Sequence, residues 1–187
     1  MKLTGLKVVD LSMFLPGPHL TMMMADHGAD VIRVEPFSGE PVRDVGLKQA
    51  GFSVWFRNTH RGKRSLRLNL KAPEGKDLLL RLLKEADVFV EAFRPGVVDR
   101  LGIGYEVVKS LNPAIVYCSI SAFGQSGPYR DRPAHDLAVE ALSGLVACNL
   151  GQDGKPASPH MPVADIAGSL MALSGILMAL YRRNTTG

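Results

Sequence analysis

The chain has 187 residues, of which 46% are apolar and 21% are charged, and these proportions are typical of a globular domain with a hydrophobic core. The formal net charge is only +4 and the basic residues are spread along the sequence, which argues against a nucleic-acid partner. The densest basic run, at 57–71, suits either an exposed edge strand or a groove for a phosphorylated small molecule.

The sequence lacks the features that would indicate secretion, a membrane span or a metal site. It has no apolar run long enough to span a bilayer, no signal-peptide pattern at its start, and no Cys and His cluster with metal-ligand spacing. The most apolar stretch, 166–180, contains Gly and Ser residues that suit a buried helix better than a membrane span. We therefore expect a cytoplasmic protein with no metal site and no membrane partner.

Short apolar runs alternate with helical patterns along the chain. Strands are predicted at 7–11, 31–35, 87–91 and 115–119, and helices at 18–27, 74–86, 105–111, 134–148 and 163–182. This alternation predicts an α/β fold in which helices cover both faces of a parallel sheet. Ligands of such sheets bind beyond the carboxyl ends of the strands, so we expect the site among the loops that follow the predicted strands.

Two of these loops have ambiguous motifs. The first, 12–19, has two prolines around a glycine but neither a dinucleotide fingerprint nor a phosphate-binding lysine. It either lines a pocket or simply turns the chain. In the loop after 87–91, Arg94 could grip a phosphate with its planar guanidinium group, or it could be a surface arginine.

Acidic residues at two predicted helix starts are the main catalytic candidates. His135 and Asp136 begin one helix and Asp165 begins the next, and helix N-termini favour negative charge. Neighbouring side chains on a helix diverge by about 100°, so His135 and Asp136 are not expected to face one point. A structural histidine and a helix-capping aspartate are the alternatives, but we expect Asp165 to carry the chemistry.

A series of landmarks occurs in one order along nearly the whole chain. They are KVVDL at 7–11, PGP at 16–18, GADVIRVE at 28–35, KRS at 63–65, LNLK at 68–71, PEG at 73–75, FRPG at 93–96, LNP at 111–113, GQSGP at 124–128, and Asp165. On these motifs the chain resembles the family III CoA-transferases, the CaiB/BaiF-like group that also contains the 2-methylacyl-CoA racemases.

The resemblance implies an architecture and partners. It implies a Rossmann-like parallel sheet that binds coenzyme A, a smaller second domain, and two interlocked subunits that act on acyl-CoA and carboxylic acid substrates. Members of the family are longer than this chain. Residues 1–187 are therefore expected to be a fragment, the N-terminal portion of the CoA-binding large domain, truncated before the small domain.

The same motifs imply contacts with coenzyme A. Those expected at its adenosine and phosphate end are Leu68, Lys71, Phe93 and Arg100, and Arg94 is a further expected contact with the coenzyme. Phe14 and Pro16 would lie near the pantetheine and the thioester. The chain departs from the family at Pro36 and Ala92, where members often have an arginine and an asparagine.

The resemblance also implies a reaction. Asp165 matches the aspartate that, in the transferases, attacks the acyl-CoA thioester to form an acyl-aspartyl anhydride. CoA leaves, returns to form an aspartyl-CoA thioester, and is then passed to the acceptor acid. Backbone N–H groups at the helix start can stabilise the oxyanion, and Asp136 matches an acidic residue that assists in some transferases.

Two alternatives to the transferase stay open. In the racemases the same aspartate exchanges the proton next to the thioester, and a histidine acts on the opposite face; that position is His135 here. The racemases usually continue with a different sequence from the one found at 137–139. We therefore predict a CoA-transferase, with a racemase as the first alternative and an inactive CoA-binding fragment as the second.

Overall fold

Apolar, β-branched runs form the central strands of the sheet, and segments with helical periodicity form most of the helices between them. The computed structural model describes residues 1–186, and Gly187, the last residue of the predicted domain, lies outside them. The strands are β1 (Lys7–Asp10), β2 (Asp30–Glu35), β3 (Lys48–Gln49), β4 (Phe52–Ser53), β5 (Arg64–Arg67), β6 (Val88–Glu91) and β7 (Val116–Ser119). The helices are α1 (Pro16–Asp26), α2 (Val54–His60), α3 (Pro73–Lys84), α4 (Val97–Leu101), α5 (Tyr105–Leu111), α6 (Asp136–Leu142), α7 (Leu145–Cys148) and α8 (Val163–Thr186), with a 3₁₀ turn at Pro41–Asp44.

Five strands form one parallel sheet in the order β5-β2-β1-β6-β7. The chain moves outward from β1 to β5 on one side and then crosses back to β6 and β7 on the other. The direction of winding therefore reverses between β1 and β6, which is where ligands of such sheets bind, at the carboxyl ends of the strands. The predicted α/β fold is confirmed.

Each face of the sheet packs against its own pair of helices, because side chains alternate along a strand. Val9 and Phe89 face a core that includes Leu79 and Leu83 of α3 and residues of α5. Val8 faces the other core, to which α1 and α8 contribute. The members of this second core from the two helices are Leu20, Met24, Ile176 and Leu180.

The structure differs from the predicted elements in several places, and α4 (Val97–Leu101) is one of the helices that the sequence did not predict. The predicted helix 134–148 is two helices, α6 and α7, because Gly144 between them adopts a left-handed conformation with φ +85°. The β3–β4 hairpin and α2 were not predicted, since 36–63 has no clear periodicity. Within the basic run, 64–67 forms β5, an edge strand of the sheet.

Helix α8 is less buried than the sequence predicts. It packs one face on the domain through Ser169, Ile176 and Leu180, while Met171 and Tyr181 are 73% and 74% exposed. Of the helices that the structure describes, it is the one with the length and composition to cross a membrane. A single helix of this kind is also common in the cores of soluble proteins, so the prediction of no membrane partner stays a prediction.

A buried ionic cluster joins β1, β2, α1 and the segment before β5. Asp10, at the end of β1, is fully buried; its Oδ2 accepts hydrogen bonds from Thr21 Oγ1 at 2.6 Å and Lys63 Nζ at 3.1 Å. Arg33 Nη1 lies 3.7 Å from Asp10 Oδ1. Burial alone would raise the pKa of Asp10, but these cations and the hydroxyls of Ser12 and Thr21 together hold the pKa well below its usual value.

We expect Lys63→Met to destabilise the chain by about 3 kcal/mol, because it leaves the buried Asp10 carboxylate without its nearest cation. Arg64→Met is the matched control. Arg64 pairs with Asp30 on the surface, where both side chains are largely solvated, and its loss should cost less than about 1 kcal/mol. Urea unfolding at pH 7 measures both changes, and equal losses for the two variants would contradict this reading of the cluster.

Candidate active site

The loop after β1 is held against the sheet by buried carboxylates. Asp10 Oδ1 accepts the Ser12 N–H at 2.9 Å, so the chain turns directly at the strand end. Gly17 is required next to this turn, since a Cβ there would lie 2.1 Å from the Ser12 side chain. Phe14 adopts φ +65°, which is rare for a large residue, and its N–H donates to Glu40 Oε1 at 2.8 Å.

Glu40 connects this loop to the end of β2. Its side chain is fully buried, and its Oε2 pairs with Arg33 and lies 3.0 Å from His60 Nε2. Its own N–H donates to Glu35 Oε2 at 2.8 Å. Glu35, at the end of β2, therefore holds Glu40, and Glu40 holds the backbone of the loop after β1. These contacts maintain the unusual conformation of Phe14.

The starts of α1, α6 and α8 meet beside this loop. The rings of Phe14 and His135 are in edge-to-face contact, with centroids 5.9 Å apart. The Ser169 hydroxyl lies 2.8 Å from the carbonyl oxygens of both Pro16 and Asp165, so it links the start of α1 to the first turn of α8. Four predicted site residues, Phe14, Pro16, His135 and Asp165, thus come together at the carboxyl edge of the sheet.

Two carboxylates of α6 cap the first turn of α8. Asp136 Oδ1 accepts the Asp165 N–H at 2.9 Å, and Glu140 Oε1 accepts the Val163 N–H at 3.0 Å. The sequence led us to expect helix-start N–H groups that stabilise an oxyanion. In the structure these two N–H groups are already engaged by carboxylates, and the Ala164 N–H between them is the one that donates to neither.

Asp165 is a half-buried carboxyl whose charge is disfavoured by its surroundings. Burial is the main reason, followed by the charge of Asp136, and together with Glu140 they raise the pKa of Asp165 to about 6. His135 acts in the opposite direction and lowers the pKa. The carboxyl is therefore ionised at neutral pH but is a stronger base than an ordinary aspartate.

His135 and Asp136 both act on Asp165, although their helical spacing predicts divergence. The reason is that His135 is the N-cap residue of α6, with φ −116° and ψ 173°, and so lies outside the helix. The angle of about 100° between neighbouring helical side chains does not apply across a cap. The assumption that both residues lie on the helix is therefore wrong, and the direction in which the His135 side chain acts stays a prediction.

The residues predicted to contact coenzyme A on this side lie after β5 and after β6, two strands that β2 and β1 separate in the sheet. Lys71 follows β5, and Arg94 follows β6; both are exposed. Phe93 is half-buried against the core, and its N–H donates to Glu91 Oε2 at 2.8 Å. Leu68 is 7% exposed with its side chain in the core, so its backbone is the part nearest to solvent. Their contacts with coenzyme A stay predictions.

A further arginine joins Arg100 beside the loop after β6. A Cβ at Gly96 would lie 3.4 Å from Arg100 Nη1 and 3.6 Å from Arg130 Nη2, so both guanidinium groups approach one backbone position. Arg130 was not predicted. It follows the glycine-rich turn after β7, and its place after a strand end is the signal that could have pointed to it.

Comparison with known proteins decides the family. The sequence profile described as CoA-transferase family III matches residues 3–187. The chain belongs to this family. It is 40% identical over 185 residues to the acetyl-CoA:oxalate CoA-transferase of Acetobacter aceti, a match that covers 98% of this chain and 48% of that protein. It is 42% identical over 190 residues to the alpha-methylacyl-CoA racemase of Homo sapiens, covering 100% of this chain and 46% of that protein.

Solved structures of family III proteins have the same fold. A CAIB/BAIF family protein from Brucella suis is 37% identical and superposes with a TM-score of 0.94, covering 99% of this chain and 50% of that one. The chain thus spans about half the length of the curated relatives it matches. Among residues 1–186, no group of three or more His, Cys, Asp or Glu side chains is placed to hold a metal ion.

We expect Asp165→Asn to stabilise this family III chain by about 1 kcal/mol at pH 8 and to have no effect near pH 3. A rise in pKa from 3.8 to about 6 means that folding opposes ionisation, so the penalty is present above pH 6 and disappears once both states are protonated. For a fully desolvated carboxyl this penalty would be about 3 kcal/mol. Solvent screening of the half-exposed Asp165 carboxyl reduces the penalty.

Urea unfolding at the two pH values measures this difference. Asp153→Asn, in an exposed loop beside Lys155, is the control and should change stability little at either pH. A loss of stability in Asp165→Asn at pH 8 would show that the surroundings favour the charge.

Proposed function

We propose that this chain is the acyl-CoA-binding part of a family III CoA-transferase and that Asp165 is its nucleophile. The observation that carries the proposal is the state of the Asp165 carboxyl: half-buried, in the first turn of α8, and with a pKa raised to about 6. A carboxylate that is ionised at neutral pH and yet unusually basic is suited to attack a thioester carbonyl.

The surroundings of Asp165 support binding of an acyl-CoA. Phe14 is 39% exposed at the edge of the site, where an apolar ring suits the pantetheine arm. Arg94 is exposed on the loop after β6, and Arg100 and Arg130 approach Gly96 of the same loop; Lys71 is exposed after β5, at the outer edge of the sheet. Cations beside the point where the sheet winding reverses are suited to the phosphates of coenzyme A.

The proposed reaction has four displacements. An Asp165 oxygen attacks the acyl carbonyl carbon, the C–S bond breaks, and CoA thiolate leaves an acyl-aspartyl anhydride. The thiolate attacks the aspartyl carbonyl of this anhydride, which releases the first carboxylate and forms an aspartyl-CoA thioester. The acceptor carboxylate displaces the thiolate from that thioester to form a second anhydride. Finally the thiolate attacks the acceptor acyl carbon, and Asp165 is regenerated.

A racemase is the second candidate, and the position of His135 favours it. His135 is exposed at the N-cap of α6 and is close enough to Asp165 to lower its pKa. Two bases around one substrate carbon are what proton exchange on opposite faces requires. In this reaction Asp165 would remove or return the proton next to the thioester and would form no covalent bond.

The remaining proposals concern the whole protein. We propose that the full-length protein is an interlocked homodimer, and the exposed apolar residues of α8, among them Met171 and Tyr181, support a covering partner for this helix. The third candidate, an inactive CoA-binding fragment, describes this chain alone. It predicts binding of CoA without turnover.

We expect Asp165→Ala to abolish turnover in the full-length protein while CoA affinity stays within about threefold, because the carboxyl reacts with the thioester and contributes little to CoA binding. Exchange of labelled CoA between an acyl-CoA and a carboxylic acid measures turnover, and calorimetry measures affinity. Turnover that persists in Asp165→Ala would refute the assignment of the nucleophile.

We expect His135→Phe to separate the two enzyme candidates. A transferase should lose less than about tenfold in CoA exchange, whereas a racemase should lose about 10²–10⁴-fold, the usual contribution of a general base. Deuterium uptake from heavy water at the carbon next to the thioester is the second readout. Uptake without an acceptor acid would contradict the transferase proposal.

A further inference from the structure

Helix α6 presents two carboxylates to the start of α8, and the resemblance to the family implies a role for only one of them, Asp136. Asp136 and Glu140 are four residues apart, so they lie on the same face of α6. Asp136 contacts the Asp165 N–H, and Glu140 contacts the Val163 N–H two residues earlier. The sequence analysis assigned no role to Glu140.

Glu140 is unusual because it is a buried acid without a cation. It is 2% exposed. Its Oε1 accepts the Val163 N–H at 3.0 Å, but its Oε2 has no hydrogen-bond partner, and no Lys, Arg or His forms an ion pair with it within residues 1–186. Buried carboxylates are normally paired or fully hydrogen-bonded, so an acid that is retained here calls for an explanation.

We propose that Glu140 is a positioning residue for Asp165: its buried carboxyl fixes the first turn of α8 through the Val163 N–H and shapes the electrostatic surroundings of the Asp165 carboxyl. The inference rests on the proposed function, since it concerns the same carboxyl. It adds a residue that lies behind the site and is buried away from any substrate.

The charges around Asp165 agree with this role. Asp136, Glu140 and His135 are the charged groups that act on it, all from α6 and its cap. The two carboxylates oppose ionisation of Asp165 and His135 favours it. The effect of Glu140 on the pKa of Asp165 is smaller than that of burial or of Asp136, and it acts in the same direction as both.

Glu140→Gln tests the charge alone. The amide keeps an oxygen that can accept the Val163 N–H, has nearly the same shape, and removes the negative charge. The ¹³C carboxyl shift of Asp165, followed by NMR during a pH titration of the chain, should have a midpoint roughly half a pH unit lower than in the parent chain. The acid limb of kcat/KM in the full-length protein should move by the same amount.

Two further variants separate charge from capping. Glu140→Asp keeps the charge but shortens the reach, so it should weaken the Val163 contact and lower the melting temperature while the Asp165 midpoint stays within about 0.2 pH units of the parent. Asp153→Asn removes an exposed, distant charge and should leave the midpoint unchanged. An equal fall in Glu140→Gln and Asp153→Asn would overturn the proposal, as would no fall in Glu140→Gln.

The outcomes distinguish this inference from the proposed function. A lower Asp165 midpoint in Glu140→Gln together with undiminished turnover in Asp165→Ala would support the role of Glu140 and refute the nucleophile. An unchanged midpoint together with loss of turnover in Asp165→Ala would do the reverse. If Glu140→Gln does not fold, Glu140→Asp tests the contact with the Val163 N–H: a lower melting temperature with an unchanged Asp165 midpoint would support the proposal, and an unchanged melting temperature would overturn it.

Discussion

The site depends on acidic side chains that end the strands and bind backbone N–H groups of the loops that follow. Asp10, Glu35 and Glu91 are the last residues of β1, β2 and β6, and all three are buried. Asp10 and Glu91 accept the N–H groups of Ser12 and Phe93, and Glu35 accepts one from the segment that leads into the 3₁₀ turn. Loops at a ligand-binding edge are usually mobile, and these bonds to a rigid sheet fix them.

The candidate nucleophile shows a conflict between a helix terminus and its neighbours. The start of α8 by itself favours a negative charge on Asp165, which is the basis on which the sequence suggested a reactive carboxylate. In the structure Asp136 and Glu140 have taken two of the first-turn N–H groups and have added their own negative charge. Burial and these charges outweigh the helix terminus, so the same location yields a basic carboxyl and not an acidic one.

The sequence was sufficient for four of the five strands of the sheet, for the helices with clear periodicity and for several residues that meet at the site, because periodicity and the ordered family motifs are local signals. It was insufficient for Glu40 and Glu140, whose roles come from contacts with Phe14 and Val163, 26 and 23 residues away. It also misjudged His135, since one residue decides whether a side chain lies on the helix or on its cap. Pairings between distant segments and cap boundaries therefore had to come from the structure.

The bond between Ser169 and Pro16 joins residues 153 positions apart. Contacts of such long range are slow to form, because most of the chain has to be ordered before they contribute. During synthesis, the sheet can assemble with α3 and α5 on one face before α8 is available to cover the other face. The apolar sheet face over β1 and β6 is then the surface most open to misassociation, and the geometry around Asp165 forms only after α8 has packed on it.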